Sequence, residues 1–207
     1  MKTLIIDCSC GLKISLINNG KEQSFIDETL TKQSSSLLEH IDKLLNKENL
    51  SMNDINVIAV NVGPGSFTGI RVAIATAKGL AIGCNAKVIT FNSFESVQAN
   101  ITERNFGIIA EGFGNNYYYY FKKFGKVFQG CATADKLSVL AKDISVYSVS
   151  DKVCNKIVEF TVNKISYNAI KAVSQKIEQG MFVSTNQIVP LYLRASQAEI
   201  ERLKNGN

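Results

Sequence analysis

One stretch sets the terms on which this chain can fold: Asn61-Val62-Gly63-Pro64-Gly65-Ser66-Phe67-Thr68-Gly69-Ile70-Arg71, continued to about Gly83. The apolar run from Val57 to Val62 predicts a short buried strand. Gly63, Pro64 and Gly65 then force a sharp turn, and Thr68 is placed to cap a helix, because its hydroxyl can accept from an orphan amide of the first turn. From Gly69 to Gly83 the only charges are Arg71 and Lys78, which fall on nearly the same side. Gly69, Ala73, Ala77 and Ala81 form a stripe of very small side chains that would let another element approach the backbone closely. Ile70, Val72, Ile74, Leu80 and Ile82 fill the remainder. A helix apolar nearly all round must be covered on more than one side. Its own sheet provides one cover, and a second layer from this chain or from a partner must provide the other.

The turn itself admits three readings. Its glycines and amides at a helix start could hold a phosphate. It could aim a helix whose outer face is a docking surface. It could also be a plain strand–turn–helix joint, since a glycine-rich turn alone is a weak signal. A P-loop is disfavoured, because no Gly-Lys-Ser/Thr ends the turn.

With 207 residues the chain can bury a substantial core as one large or two small domains. Nothing approaching a transmembrane span is expected, and the opening Met1 to Asp7 is no signal peptide, because Asp7 ends the apolar run. Five scattered cysteines, Cys8, Cys10, Cys84, Cys131 and Cys154, point to reduced thiols in a cytoplasmic protein. The net charge of +5 is uneven: residues 1–104 hold ten basic and ten acidic side chains, and 105–207 hold thirteen and eight. That excess suits either a solvated surface or an RNA partner.

Lys2–Cys8, Leu12–Asn18 and Lys21–Asp27 read as three strands joined by short turns, an antiparallel meander. A helix follows over Ser34–Lys47 with Leu37, Leu38, Ile41, Leu44 and Leu45 on its apolar face. His40, the only histidine, sits at the edge of that face and reads as structural. After the strand at 57–62 and the helix at 68–83 come a strand near Lys87–Thr90 and a helix from about Ser93 to Thr102. The order βββαβαβα predicts a mixed sheet with crossover helices. Beyond a boundary near Thr102–Asn105, strands are expected at Gly107–Glu111, Tyr117–Lys123, Lys126–Gln129 and Ile144–Val149. Helices are expected at Ala134–Ala141 and Ser166–Gln179, with Gly180 as the stop. The run Tyr117 to Tyr120 could stack bases, or cover the two faces of a small sheet. Asp151–Ile165 is ambiguous, and no repeat at a fixed period is visible. After the extended Pro190-Leu191-Tyr192-Leu193-Arg194, Ser196 and Glu199 form a capping box for a short terminal helix.

Taken together, Ile6-Asp7-Cys8-Ser9 opening the meander, Gly63 to Arg71 after its strand, and the terminal Pro190 to Arg194 closely resemble the bacterial TsaB (YeaZ) proteins. The resemblance runs the length of the chain and is strongest over 1–100. It implies an α/β actin-like (ASKHA) fold of two RNase H-like lobes: residues 1–104 with βββαβα order, and 105–207 as a reduced second lobe with the C-terminal tail. It implies a part in making threonylcarbamoyladenosine next to the anticodon of tRNAs that read codons beginning with adenine. The subunit implied is non-catalytic. It pairs with its paralogue TsaD, works with the ATPase TsaE, forms a homodimer when alone, and binds no cofactor alone, ATP and metal being expected on the partner proteins. The family's pairing surface maps onto Leu38, Asp42, Leu45, Gly69, Ile70, Arg71, Ala73, Ile74, Ala77 and Lys78. Asp7, Ser9, Gly63 and Gly65 would be a remnant nucleotide contact, with Asn61 at its border. This chain departs from the family in having Gln33 in place of a histidine, Glu39 in place of a proline, and Glu111-Gly112-Phe113 in place of Asp-Ala-Arg.

The residues weigh against chemistry by the chain alone. One histidine cannot supply a His-Glu-x-x-His metal site. Ser66 has no base near it in sequence. An ATPase needs a second phosphate loop, and no adenosine-binding glycine pair stands out in the second half. The alternative that Asp7 and the glycine turn leave open is a stand-alone actin-fold ATPase or small-molecule kinase.

Overall fold

The structure is a computed structural model and describes residues 1–27 and 33–194. The capping box expected at Ser196 and Glu199 lies outside the described residues, as does the side chain of Gln33. Two compact units form: Met1–Ile101 with Ser166–Leu191, and Thr102–Ile165 with residues 192–194.

In the first unit, β1 (Lys2–Asp7), β2 (Leu12–Asn18) and β3 (Lys21–Asp27) form an antiparallel meander. Asn19 and Gly20 turn between β2 and β3 with positive φ, the backbone that a tight hairpin needs. β4 (Val57–Asn61) lies parallel to β1, and β5 (Lys87–Phe91) parallel to β4, so the order is β3-β2-β1-β4-β5. A parallel neighbour requires a crossover helix. α1 (Gln33–Lys47) makes the first crossover and α2 (Phe67–Cys84) the second. Central strands covered on both faces read as continuous apolar runs, which is the sequence of β4. Leu4, Ile6, Ile58 and Val60 point into one cluster with Leu37, Ile41, Ala73 and Ala77 of α1 and α2. Their alternates Ile5, Val57 and Ala59 join Ile89 and Phe91 in a second cluster. That cluster is closed by Ala169 and Val173 of α6 (Ala169–Glu178), from late in the chain.

α6 is therefore part of the first unit, whereas a single boundary near residue 104 assigns it to the second. Its packing is reinforced by Lys176, whose Nζ lies 2.8 Å from Glu95 of α3 (Ser93–Gln98) and donates to the Thr90 carbonyl at 2.9 Å. α3 is shorter than its expected reach to Thr102, and α6 starts three residues later than expected, after the N-cap Asn168.

The second unit repeats the plan. β6 (Phe106–Glu111), β7 (Asn116–Lys123) and β8 (Lys126–Thr133) are an antiparallel meander. β9 (Ser145–Ser148) runs parallel to β6, and β10 (Asn163–Lys164) parallel to β9. Read from its third strand, the sheet order β8-β7-β6-β9-β10 is that of the first sheet. α4 (Ala134–Ala141) occupies the place of α1, and α5 (Asp151–Lys156), with six residues against eighteen, the place of α2. The chain is thus two RNase H-like lobes of actin-like type with the second reduced. The duplication is invisible in sequence because an eighteen-residue helix has shrunk to two turns inside the ambiguous 151–165. The tyrosines divide between the faces: Tyr117 and Tyr119 join the core around Phe121, Leu137 and Val146, while Tyr120 stacks on Phe106.

The expectation that no segment approaches a membrane span needs correcting for α2. Eighteen residues at a mean hydropathy of 1.3 are long and apolar enough to cross a bilayer by composition, although six of them pack within this fold.

A fragment ending at residue 104 lacks α6 and uncovers Ile89, Phe91 and Val57. It is expected to lose cooperative unfolding in urea, which the full chain shows. A sharp, full-amplitude transition for residues 1–104 alone would contradict the placement of α6.

Candidate functional site

β1 ends in Asp7 and β4 in Asn61, and because the two strands are parallel neighbours these residues meet at one end of the sheet. Asp7 is 1% exposed and Asn61 is fully buried. A carboxylate withdrawn from water must be met by donors. The Ser9 amide donates to Asp7 Oδ1 at 2.7 Å, and Asn61 Nδ2 donates to Oδ2 at 2.9 Å. The Tyr167 hydroxyl, 160 residues away in sequence, also donates to Oδ2. Asn61 Nδ2 lies 3.1 Å from Ser93 Oγ, and Asn61 Oδ1 accepts from the Gly63 amide at 2.8 Å. Lys13, nearly buried, places its ammonium 4.9 Å over the Tyr167 ring and donates to the Cys10 carbonyl at 3.1 Å.

The glycine turn closes directly on this knot. A Cβ on Gly65 would stand 2.3 Å from the Ser9 carbonyl oxygen, so no other residue fits without moving the backbone. The Ser66 amide donates to that oxygen at 2.8 Å. Gly63 has φ +109°, a backbone that other residues rarely adopt, and the Gly63–Pro64 bond is cis. The turn is pinned from two more sides: Ser93 Oγ donates to the Pro64 carbonyl at 2.8 Å, and the Leu191 amide donates to the Val62 carbonyl at 2.7 Å. The cap of α2 is Ser66, two residues earlier than the expected Thr68, and its Oγ accepts from the Gly69 amide at 3.2 Å. The amides of Gly63, Ser66 and Gly69 thus have internal acceptors. Asp7, Ser9, Gly63 and Gly65 are brought together as expected, yet the cluster's donors and acceptors are turned on one another. Among the described residues, no three of His, Cys, Asp and Glu gather into a metal-binding group.

The residues expected at a partner interface fall on two faces. Gly69, Ile70, Ala73, Ile74 and Ala77 of α2, and Leu45 of α1, are buried in the lobe's own core. The stripe of small residues at 69, 73, 77 and 81 lets the helix sit close on its own sheet, which corrects its reading as the outward surface. Arg71, Leu38 and Asp42 are exposed, and Lys78 is half-buried. The outward face of α2 is a second stripe, shifted by two residues: Phe67, Arg71, Ala75, Gly79, Ile82 and Gly83. Ile82 is 71% exposed, and Leu38 on neighbouring α1 is 54% exposed. The Arg71 guanidinium lies 3.8 Å from the centre of the Phe67 ring. A Cβ added at Gly79 or Gly83 would meet nothing within 4 Å. The departures are accommodated at the surface: Glu39 pairs with Lys43 at 2.6 Å, and the Phe113 ring lies under the Arg194 guanidinium.

Sequence reading missed Tyr167, Lys13 and Ser93. The first was hidden because Ser166–Gln179 reads as one helix. Asn168 instead caps it, accepting from the Lys171 amide at 2.8 Å, and so leaves Tyr167 free to reach back to β1. Burial and the Asp7 charge push the Tyr167 hydroxyl well above its ordinary range. They push the Cys8 thiol from 9.0 up to about 12.

Two outcomes follow for the knot. Asp7→Ala takes the acceptor from the buried Ser9 amide and removes one partner each from Asn61 Nδ2 and the Tyr167 hydroxyl, and is expected to lower stability by about 3 kcal/mol in urea titration. Loss below about 0.5 kcal/mol would show the knot to be incidental. The Cys8 thiol holds its proton longer folded than unfolded, so its contribution is whole below pH 9.0 and is lost as pH rises toward about 12. Urea midpoints should fall through that window, and fall less steeply in Cys8→Ala.

A family profile described as TsaD, tRNA N6-adenosine threonylcarbamoyltransferase, matches residues 28–138, more than half of the chain. The tRNA threonylcarbamoyladenosine biosynthesis protein TsaB of Buchnera aphidicola subsp. Baizongia pistaciae is 37% identical over 87 residues, covering 41% of this chain and 39% of that protein. The TsaB protein of Escherichia coli K12 is 28% identical over 106 residues, covering 51% and 46%. The match thus spans less than half the length of these relatives. Among solved structures, YeaZ from Pseudomonas aeruginosa superposes with a TM-score of 0.74 at 16% identity, over 93% of this chain and 99% of that one. That likeness supports the fold alone. On the family profile and the repeated TsaB matches, the chain belongs to the threonylcarbamoyltransferase (TsaD) family, in its TsaB/YeaZ branch.

Proposed function

We propose that this chain is a non-catalytic partner subunit for threonylcarbamoyladenosine formation on tRNA, docking on a TsaD-type transferase through the outward faces of α1 and α2. The observation that carries the reading is the outer stripe of α2. Glycine in a helix interior costs about 1 kcal/mol relative to alanine. Gly79 and Gly83 have open space where a side chain would stand, so packing within the described residues gives no return for that cost. Small residues there let a second helix approach closely, with Ile82, Leu38 and Phe67 as apolar contacts around them. Since the profile that matches this chain is that of the transferase itself, both molecules can present the same pair of helices. Two such faces fit together about an approximate two-fold axis, and two copies of this chain about a true one.

The revised interface is Leu38, Asp42, Phe67, Arg71, Ala75, Lys78, Gly79, Ile82 and Gly83. The knot at Asp7 supports the non-catalytic part of the reading: its carboxylate oxygens serve β4, α6 and its own loop. In this reading the former nucleotide contact has become the device that aims α2, while the partner proteins carry ATP and metal.

Gly79→Ala and Gly83→Ala are expected to stabilise the isolated chain by about 0.5–1 kcal/mol each while weakening its pairing. Ile82→Glu should abolish co-elution with the transferase and homodimerisation, with the melting temperature unchanged. A tRNA modification assay with and without the chain, and with Ile82→Glu, completes the test. Full pairing and modification with Ile82→Glu would overturn the docking face.

A further inference from the structure

The turn between β7 and β8 is built at a local disadvantage. Phe124 and Gly125 form a two-residue hairpin turn with φ +49° and +77°. Such a turn favours Asn-Gly or Asp-Gly, and a bulky residue at positive φ costs about 1–2 kcal/mol. Phe124 is also 86% exposed, so its ring gains nothing from the fold. Its amide donates to Asn105 Oδ1 at 2.8 Å, which fixes the tip. Directly behind the turn, Lys123 and Lys126 are cross-strand neighbours, and like charges so placed repel. Lys122 and the half-exposed Val127 form the next pair. Lys123 donates to the carbonyls of Leu140 and Lys142 at 3.3 and 2.8 Å, which brings the Lys142 backbone beside the hairpin. No acidic residue occurs from Gly112 to Ala134.

Strain, an exposed phenyl ring and a group of lysines thus coincide at one hairpin tip. An asparagine at position 124 would relieve the first two. Features that the fold penalises are best explained by something outside it. A flat aromatic face flanked by ammonium groups suits a polyanion that also offers flat faces, which is single-stranded nucleic acid.

We propose that the β7–β8 hairpin tip is an RNA contact, with Phe124 stacking on an unpaired base while Lys122 and Lys126 meet the flanking phosphates. This deepens the proposed role in tRNA modification by giving the chain its own hold on the substrate, and it rests on that reading for the identity of the RNA. The contact is separate from the α2 face, so either can fail alone.

The test uses the full chain and three fluorescently tagged probes: an unmodified tRNA transcript, its isolated anticodon stem-loop, and vesicles containing phosphatidylserine. Phe124→Asn is expected to weaken stem-loop binding about ten-fold while leaving the melting temperature equal or raised. Lys122→Gln with Lys126→Gln should make the salt dependence of binding shallower by about 1.4 in log–log slope. Co-elution of these variants with the transferase should be unchanged, so that loss of RNA binding is not loss of docking. RNA affinity unaltered by Phe124→Asn, absence of RNA binding even at low salt, or Phe124-dependent binding to the vesicles and not to RNA would each overturn the proposal.

Discussion

A single buried carboxylate governs the layout of the first lobe. Asp7 is almost out of water, and withdrawing a charge from water is tolerable only where donors replace the solvent. Those donors come from three places: the loop after β1, the end of β4, and Tyr167 just before the N-cap of α6. Satisfying one side chain therefore fixes the register of two parallel strands and recruits a helix from far down the chain. The glycine turn then has no freedom left, because Gly65 runs against Ser9 and the Leu191 amide holds Val62. α2 leaves that turn in one direction only.

The same economy separates the two stripes of α2. Residues 69, 73, 77 and 81 are small so that the helix can lie close to β4. Residues 75, 79 and 83 are small where the lobe itself packs nothing against Gly79 or Gly83, and the proposed docking gives that face its use. A helix with tiny side chains on both sides, and apolar ones between, is a spacer of minimal thickness. It transmits the position of the sheet to whatever packs outside with little room for adjustment.

Much of this was legible in the amino-acid sequence, for reasons that differ by element. The meander and β4 followed from alternation and apolar runs, and α1, α2 and α4 from period and caps. The family resemblance supplied the actin-like fold. The meeting of Asp7, Ser9, Gly63 and Gly65 was also foreseeable, since both loops end neighbouring strands. What was illegible depends on side-chain direction or on distance along the chain. A small residue every fourth position marks a stripe but not the way it faces, so the sequence allows Gly69, Ala73 and Ala77 to face a partner while the structure turns them in. Tyr167 and α6 return across more than sixty residues of a second lobe, and no local pattern encodes that return. The second lobe's repeat of the first strand order was masked by its shortened α5 and two-residue β10.

An inward-looking polar knot positions an outward-looking helix, and in the proposed function the helix, not the knot, meets other molecules. Hydrogen–deuterium exchange on the full chain reads both at once. Addition of the transferase should slow exchange in peptides spanning Phe67–Cys84 and Leu37–Lys47. Addition of ATP with magnesium to the chain alone should leave the loop from Asp7 to Lys13 unchanged. Protection of that loop by nucleotide, with α2 exchanging as before when the transferase is present, would contradict the account.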